Sequence, residues 1–298
     1  MGSPLPVTAE GPGVGVRILV DAPTHWHCGR FRLPLDRPLV MGVINVTPDS
    51  FSDGGRFLLV DRAVEHARQL IAEGADILDI GGESTRPGAA SVSPAAQIER
   101  VMPVVQALRD VQVPLSVDTS EPEVMRAALE DGVAIVNDVR ALAVPGALAQ
   151  LARSDCGVVL MHMKGTPQTM QADPTYDDVV REVGEFLGAR RDEAVRAGVA
   201  PERIALDPGF GFGKRGVHNR ELLARLDRLR SLGQPLLVGL SRKASLGEMT
   251  GRPVDQRLVP SVVAALLAIQ LGACIVRVHD VAATRDAIAV WEAVRAAR

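Results

Sequence analysis

Residues 203–214 read RIALDPGFGFGK, and the succession of residue types in that stretch decides the fold. An apolar run, Ile204 to Leu206, ends on the carboxylate of Asp207; glycines follow, and then residues 220–232 carry Ala, Leu, Arg and Glu at helical spacing. This is a buried strand, a turn and an amphipathic helix in sequence. The same order recurs on both sides, with apolar runs at 39–46 (LVMGVINV), 75–82 (ADILDIGG), 114–120 (PLSVDTS), 134–139 (AIVNDV), 157–163 (GVVLMHM), 235–241 (PLLVGLS) and 273–281 (ACIVRVHDV). Helical patterns at 60–73, 95–109, 121–131, 146–154, 177–198, 256–271 and 282–297 separate them. Ser93-Pro94 and Ser120-Glu121-Pro122 are helix starts, a hydroxyl to cap and a proline for the first turn. Eight strand–helix units predict an α/β protein built as a single (β/α)8 TIM barrel; an eight-stranded doubly wound sheet is the alternative.

Outward from the barrel, residues 16–36 hold two short alternating runs, VRILV and GRFRLPL, which predict a short N-terminal β-hairpin. The first 15 residues are rich in Gly and Pro, lack periodicity and read as a disordered leader, so residues 16–298 form one domain. The chain has 298 residues, 47% hydrophobic and 23% charged, with a net charge of −3. Nothing in that balance attracts a phosphate backbone, and nucleic acid is excluded as a partner. The longest apolar run, Leu258 to Leu271, is interrupted by Gln270 and too short for a bilayer, so no membrane partner is expected. Three well-separated cysteines, Cys28, Cys156 and Cys274, and no signal-peptide pattern point to the cytoplasm.

In a parallel barrel a polar side chain at a strand's C-terminal end marks the place for chemistry. Here the strand ends supply Asn45, Glu83-Ser84-Thr85-Arg86, Asp118-Thr119, Asn137-Asp138, His162, Asp207, Ser241-Arg242-Lys243 and Arg277-Val278-His279-Asp280. Asp138 and Thr119 are equally well read as turn formers. The whole set is not, because caps do not call for Arg, His and Lys. Arg277 and His279 lie two apart, leave one face of the last strand and suit an anion such as a diphosphate. An Arg277–Asp280 ion pair is the competing reading. Asp118, Asn137 and Asp207 match the hydrogen-bonding edge of a planar heterocycle, pterin or purine, with Lys243 donating to the ring. The GFGFGK run is no Walker loop, since Arg215 follows Lys214; its glycines let backbone pass close to a flat ligand, with Phe210 or Phe212 as an apolar wall. His25 and His27 beside Cys28 lack a second ligand cluster and are not read as a zinc site.

The motifs NVTPDSFSDGG (45–55), GGESTRPGA (81–89), SVDTS (116–120), NDV (137–139), LMHMKGTPQTM (160–170), DPGFGFGK (207–214), SRK (241–243) and RVHDV (277–281) together resemble dihydropteroate synthase. The resemblance implies a homodimeric barrel that joins p-aminobenzoate to 7,8-dihydropterin-6-ylmethyl diphosphate, releasing pyrophosphate and giving 7,8-dihydropteroate for folate synthesis. It implies that Asp118, Asn137, Asp207 and Lys243 hold the pterin and that Thr85, Arg277 and His279 contact the diphosphate. It also puts Asn45 on a Mg²⁺ ion, and Phe51, Arg86, Pro87, Phe212, Ser241 and Lys243 around the aminobenzoate. Lys243, Arg277 and His279 are then the catalytic set. Ala244 stands where the family often has a serine, and Pro260 where it commonly has a small residue.

No general base stands out, so the expected chemistry is a dissociative substitution driven by charge stabilisation and positioning, with mouth loops 46–57 and 84–91 excluding water. A pterin-dependent methyltransferase domain and a catalytically silent pterin-binding homologue are the alternatives. Neither needs the SRK and RVHDV rim.

Overall fold

A computed structural model describes residues 23–47, 56–84, 91–166 and 168–297. Eight parallel strands, β3 (Leu39–Asn45), β4 (Ile77–Gly81), β5 (Leu115–Asp118), β6 (Ile135–Asp138), β7 (Gly157–Met161), β8 (Ile204–Asp207), β9 (Leu236–Val238) and β10 (Ala273–Val278), close into a barrel in sequence order, with β10 paired to β3. The expected TIM barrel is the observed fold. Eight helices follow the strands on the outside: α1 (Arg56–Ala72), α2 (Pro94–Ala107), α3 (Pro122–Glu130), α4 (Ala147–Ala152), α5 (Val179–Arg196), α6 (Gly216–Ala224), α8 (Leu258–Gln270) and α9 (Val281–Ala296). A short extra helix, α7 (Ala244–Thr250), precedes α8.

Because both faces of each strand are covered, the strands are apolar on both faces, as parallel sheets require. Val40, Ile44, Leu78, Ile80, Val117, Val136, Val158, Leu206 and Val276 face the helices in the outer shell. Leu39, Met41, Ile77, Ile135, Val159, Ala205, Leu237 and Ile275 fill the lower interior as one cluster. The barrel is therefore solid below and polar only above that layer.

The hairpin exists but is built differently from the expectation. Its strands are β1 (His25–Cys28) and β2 (Phe31–Pro34), so HWHC, which lies between the two expected runs, is the first strand, while VRILV and the 1–15 leader lie outside the described residues. The alternation is present in HWHC: Trp26 and Cys28 are fully buried while the two histidines point away. The Trp26 indole N–H donates to the Arg203 carbonyl (2.9 Å), and Cys28 packs so closely on β7 that only glycine fits at Gly157. Arg203 ties the same corner down by donating to the carbonyls of Cys156 (2.7 Å) and Leu151 (2.9 Å). The hairpin plugs the barrel floor.

Helix starts follow local chemistry in part. Ser93 caps α2 by accepting from Ala96 N (3.3 Å), with Pro94 next. Ser120 does not cap α3: its hydroxyl turns to Asp138, and Glu121 occupies the cap position without a side-chain bond. Pro260 sits in the first turn of α8, where a missing N–H costs nothing.

Candidate functional site

Above the apolar layer the inward positions of the strands become polar, in two successive layers. Asp79 of β4 lies opposite Ser116 of β5 in register, and Asp118 lies opposite Asn137 of β6. Asp79, with no exposed surface, accepts three hydrogen bonds: Ser116 Oγ on Oδ1 (2.6 Å), and Arg277 Nε (2.6 Å) and Asn137 Nδ2 (3.1 Å) on Oδ2. The second arm of Arg277 donates to Asp118 Oδ2 (3.0 Å). The floor of the mouth is thus a carboxylate-rich network around one guanidinium. Sequence reading missed Asp79; the signal was an aspartate inside the strand run ADILDIGG, two positions before its glycine end.

Burial sets the electrostatics. Asp118 is pushed up to about 7, chiefly by desolvation and against the pull of Arg277. Asp207 is also raised by burial, opposed by Lys243. Lys243 is lowered to about 8, again by burial first, with Arg277 adding to the fall and Asp207 opposing it. These groups share one poorly solvated space, and each is held against its preference by the others.

The loop after β8 is the opposite wall. Asp207 Oδ1 accepts from Gly209 N (2.7 Å), starting a turn in which Gly209, Gly211 and Gly213 all adopt left-handed backbone (φ +67°, +81° and +62°). A Cβ at Gly209 would overlap the His162 carbonyl, so only glycine lets this backbone pass. Buried Lys214 serves the loop from beneath, donating to the carbonyls of Gly209 (2.8 Å) and Phe212 (3.1 Å), with its Nζ 2.8 Å from His162 Nδ1. Burial takes His162 down to about 2, so its ring is neutral. From above, Lys243 donates to the Phe210 carbonyl and lies 4.4 Å over the Phe212 ring. Of the two candidate walls, Phe210 is fully buried and Phe212 partly exposed beside Lys243.

The SRK turn is itself fastened. Arg242 takes a left-handed φ of +59°, uncommon away from glycine; its N–H donates to Ser261 Oγ (2.9 Å) and its carbonyl accepts from the Arg257 guanidinium (3.1 Å). Its guanidinium pairs with Asp280 (2.6 Å). The ion pair to Asp280 is therefore made by Arg242, and Arg277 is left for Asp79 and Asp118. Ser241 Oγ lies 3.0 Å from His279 Nδ1 and accepts the His279 N–H (3.2 Å), joining the ends of β9 and β10.

Asn45, Asp118, Asn137, Asp207, Phe212, Ser241, Lys243, Arg277 and His279 all stand at this C-terminal mouth. Arg277 reaches deeper than its assignment to an anion alone implies, since its partners are the carboxylates of the heterocycle pocket. Thr85, Arg86, Pro87 and Phe51, with most of loops 46–57 and 84–91, lie outside the described residues. Asp138 and Thr119 are turn formers: Asp138 accepts from Ser120, Arg140 N (2.8 Å) and Leu142 N (2.7 Å), and Thr119 accepts from Glu121 N (3.2 Å). No cluster of three metal-ligating side chains occurs among the described residues. Asn45, half-buried at the end of β3, offers a hard amide oxygen with no hydrogen-bond partner among them, which fits a Mg²⁺ ion that takes its other ligands from phosphate and water.

Comparison with known proteins agrees with this geometry. The model of the family described as pterin binding enzyme matches residues 41–279. A dihydropteroate synthase of Neisseria meningitidis serogroup B is 52% identical over 275 residues, covering 90% of this chain and 96% of the relative. The Xanthomonas albilineans dihydropteroate synthase solved with 4-aminobenzoic acid superposes with a TM-score of 0.87 at 53% identity, covering 92% of this chain and 99% of the other. The same organism's enzyme in complex with 7,8-dihydropteroate gives 0.83 at 51% identity, covering 91% and 99%.

Proposed function

The chain belongs to the pterin-binding enzyme family, and from that premise we propose that it is a dihydropteroate synthase, joining p-aminobenzoate to 7,8-dihydropterin-6-ylmethyl diphosphate with release of pyrophosphate. One observation carries the reading: the acceptors of Asp118, Asn137 and Asp207 share the mouth with the basic side chains of Lys243, Arg277 and His279, Arg277 bonding Asp118 itself and Lys243 acting on Asp207. A heterocycle with N–H donors fills the first, and an anionic leaving group needs the second.

In this reading the pterin enters edge-on, its donors meeting Asp118, Asn137 and Asp207 while Lys243 donates to the ring. Arg277, with N–H groups beyond those given to Asp79 and Asp118, and His279 face the diphosphate together with Thr85. Asn45 would hold Mg²⁺ along with diphosphate oxygens, and the ion would supply further neutralisation of the leaving group. The C–O bond to the diphosphate breaks first, the methylene cation is captured by the aromatic amine, and the amine's proton leaves to solvent. Phe212 and Ser241, with Phe51, Arg86 and Pro87, line the aminobenzoate side. Fixed charges that need no reorganisation when the bond breaks supply most of the acceleration.

The homodimer we assign to α8 and α9. Val259, Val263 and Leu267, at spacing four along α8, are 66%, 50% and 43% exposed, and Val290 and Val294 continue the strip on α9. Three free cysteines accord with a cytoplasmic enzyme. The decisive experiment adds both substrates and Mg²⁺ and follows pyrophosphate: release coupled to dihydropteroate formation is expected, whereas a methyltransferase domain or a binding module would release none.

A further inference from the structure

The Asn137 carboxamide has two faces of opposite character, an oxygen that accepts and an NH₂ that donates, and a ligand-binding amide is selective only if something decides which one it shows. Here Nδ2 is committed to Asp79 Oδ2 (3.1 Å). Asp79 cannot release it by turning, because its other oxygen is held by Ser116 (2.6 Å) and Oδ2 also receives Arg277 (2.6 Å). Register reinforces this: β4, β5 and β6 are adjacent, with Asp79 opposite Ser116 and Asn137 opposite Asp118. Asn137 Oδ1 is left without an intramolecular partner among the described residues, alongside the oxygens of Asp118 and Asp207.

We propose that Asp79, buried beneath the pocket and touching no substrate, is the positioning residue that sets ligand specificity: by fixing the Asn137 amide it keeps the Asn137 edge of the wall accepting, so the pocket selects heterocycles whose facing edge carries an amino group in place of a carbonyl. The inference rests on the pterin reading of the pocket. A carboxylate is required at 79 because only an acceptor-only side chain can take three donors at once; an amide there would itself present a donor, and Asn137 could then turn either way. A 2-oxo heterocycle, which puts a carbonyl where the pterin has its amine, meets oxygen against oxygen in the wild-type wall.

The test is calorimetry of two probes, 7,8-dihydropterin and its 2-oxo analogue 7,8-dihydrolumazine, on the full chain. The wild type is expected to prefer the pterin by roughly 100-fold, the scale of leaving a buried acceptor facing another acceptor. Asp79→Asn should shrink that ratio by about tenfold or more, one hydrogen bond's worth of discrimination, with the lumazine affinity unchanged or raised. The exchange Asp79→Asn with Asn137→Asp restores one donor–acceptor pair with an oxygen still facing the ligand, and should return the ratio to within about fivefold of wild type, well inside the energy of a single hydrogen bond. Equal falls in both affinities, leaving the ratio intact in Asp79→Asn, would show that Asp79 only supports the fold. Should the single variant not fold, the exchange variant decides alone: a folded protein without the preference overturns the proposal. A wild type that binds neither probe, or both equally, would instead remove the pterin reading itself.

Discussion

Arg277, on the last strand of the barrel, and Asp118, on the third, meet across the mouth at 3.0 Å, so the residue expected to face the diphosphate also closes the pocket for the ring. In the proposed reading the two halves of the substrate are met by one guanidinium. That makes the pocket electrostatically continuous, and it determines what removing either partner should do.

Arg277→Ala should therefore injure more than leaving-group departure. It strips Asp79 and Asp118 of their cation, and an uncompensated buried carboxylate is costly. We expect kcat/KM to fall by roughly 10²–10³-fold, the scale of one lost transition-state charge contact, and the affinity for a bare pterin to fall as well. Calorimetry with a pterin lacking the diphosphate checks the second part; an unchanged affinity would return Arg277 to the anion alone.

Asp118 predicts a stability profile. Its carboxyl is raised to about 7 by burial, so the folded state favours the protonated form; the contribution is complete below the ordinary carboxylate range and is lost as pH rises through 7. Asp118→Asn should accordingly match the wild type near pH 4 and be the more stable of the two at pH 8, by on the order of a few kcal/mol. Urea unfolding at the two pH values measures it. A wild type whose stability is flat from pH 4 to 8 would contradict it.

The chain has only three lysines, Lys164, Lys214 and Lys243, which makes amine labelling readable residue by residue. Lys243 is drawn down to about 8 and is partly exposed, Lys214 is enclosed by carbonyls, and Lys164 lies at the surface. At pH 8 an acylating reagent should modify Lys243 fastest and Lys214 slowest, and the pterin diphosphate should protect Lys243. Peptide mass spectrometry in which Lys164 outpaces Lys243 would count against a poised amine.

Most of the fold was legible because each strand buried on both faces reads as a continuous apolar run ending in a polar residue. What escaped depended on register. Asp79 lies within such a run, and only the pairing of β4 with β5 and the reach of Arg277 from β10 reveal that it faces inward. HWHC was obscured because histidines alternate there with Trp26 and Cys28, polar by type yet strand by spacing. Ser120 and Asp138 illustrate competition: a hydroxyl beside a helix start has two possible partners, and the tertiary one won. The pairing of Arg242 with Asp280 was equally invisible, since two arginines lie within reach of one strand end in sequence and only a left-handed turn decides between them.

The strip on α8 offers a direct check of assembly. Val263→Glu places a charge at its centre, and burying an unpaired carboxylate at an interface costs several kcal/mol. Sedimentation should show a dimer for the wild type and a monomer for the variant, with the melting temperature lowered only by the loss of mass action. A variant that sediments as the wild type would move the interface elsewhere.

The plugged floor makes the mouth a single doorway. Trp26 and the hairpin close the far end, and the apolar layer from Leu39 to Ile275 fills the passage above them, so nothing can enter or leave by that route. With the substrates seated as proposed, the pocket of Asp118, Asn137 and Asp207 must be occupied before the seat at Phe212 and Ser241, and traffic becomes a queue in which the first molecule in is the last out. Aminobenzoate arriving early would bar its own partner. Initial rates are thus expected to follow an ordered scheme, with the pterin diphosphate first and inhibition by excess aminobenzoate; random-order kinetics would mean that the two seats are filled independently.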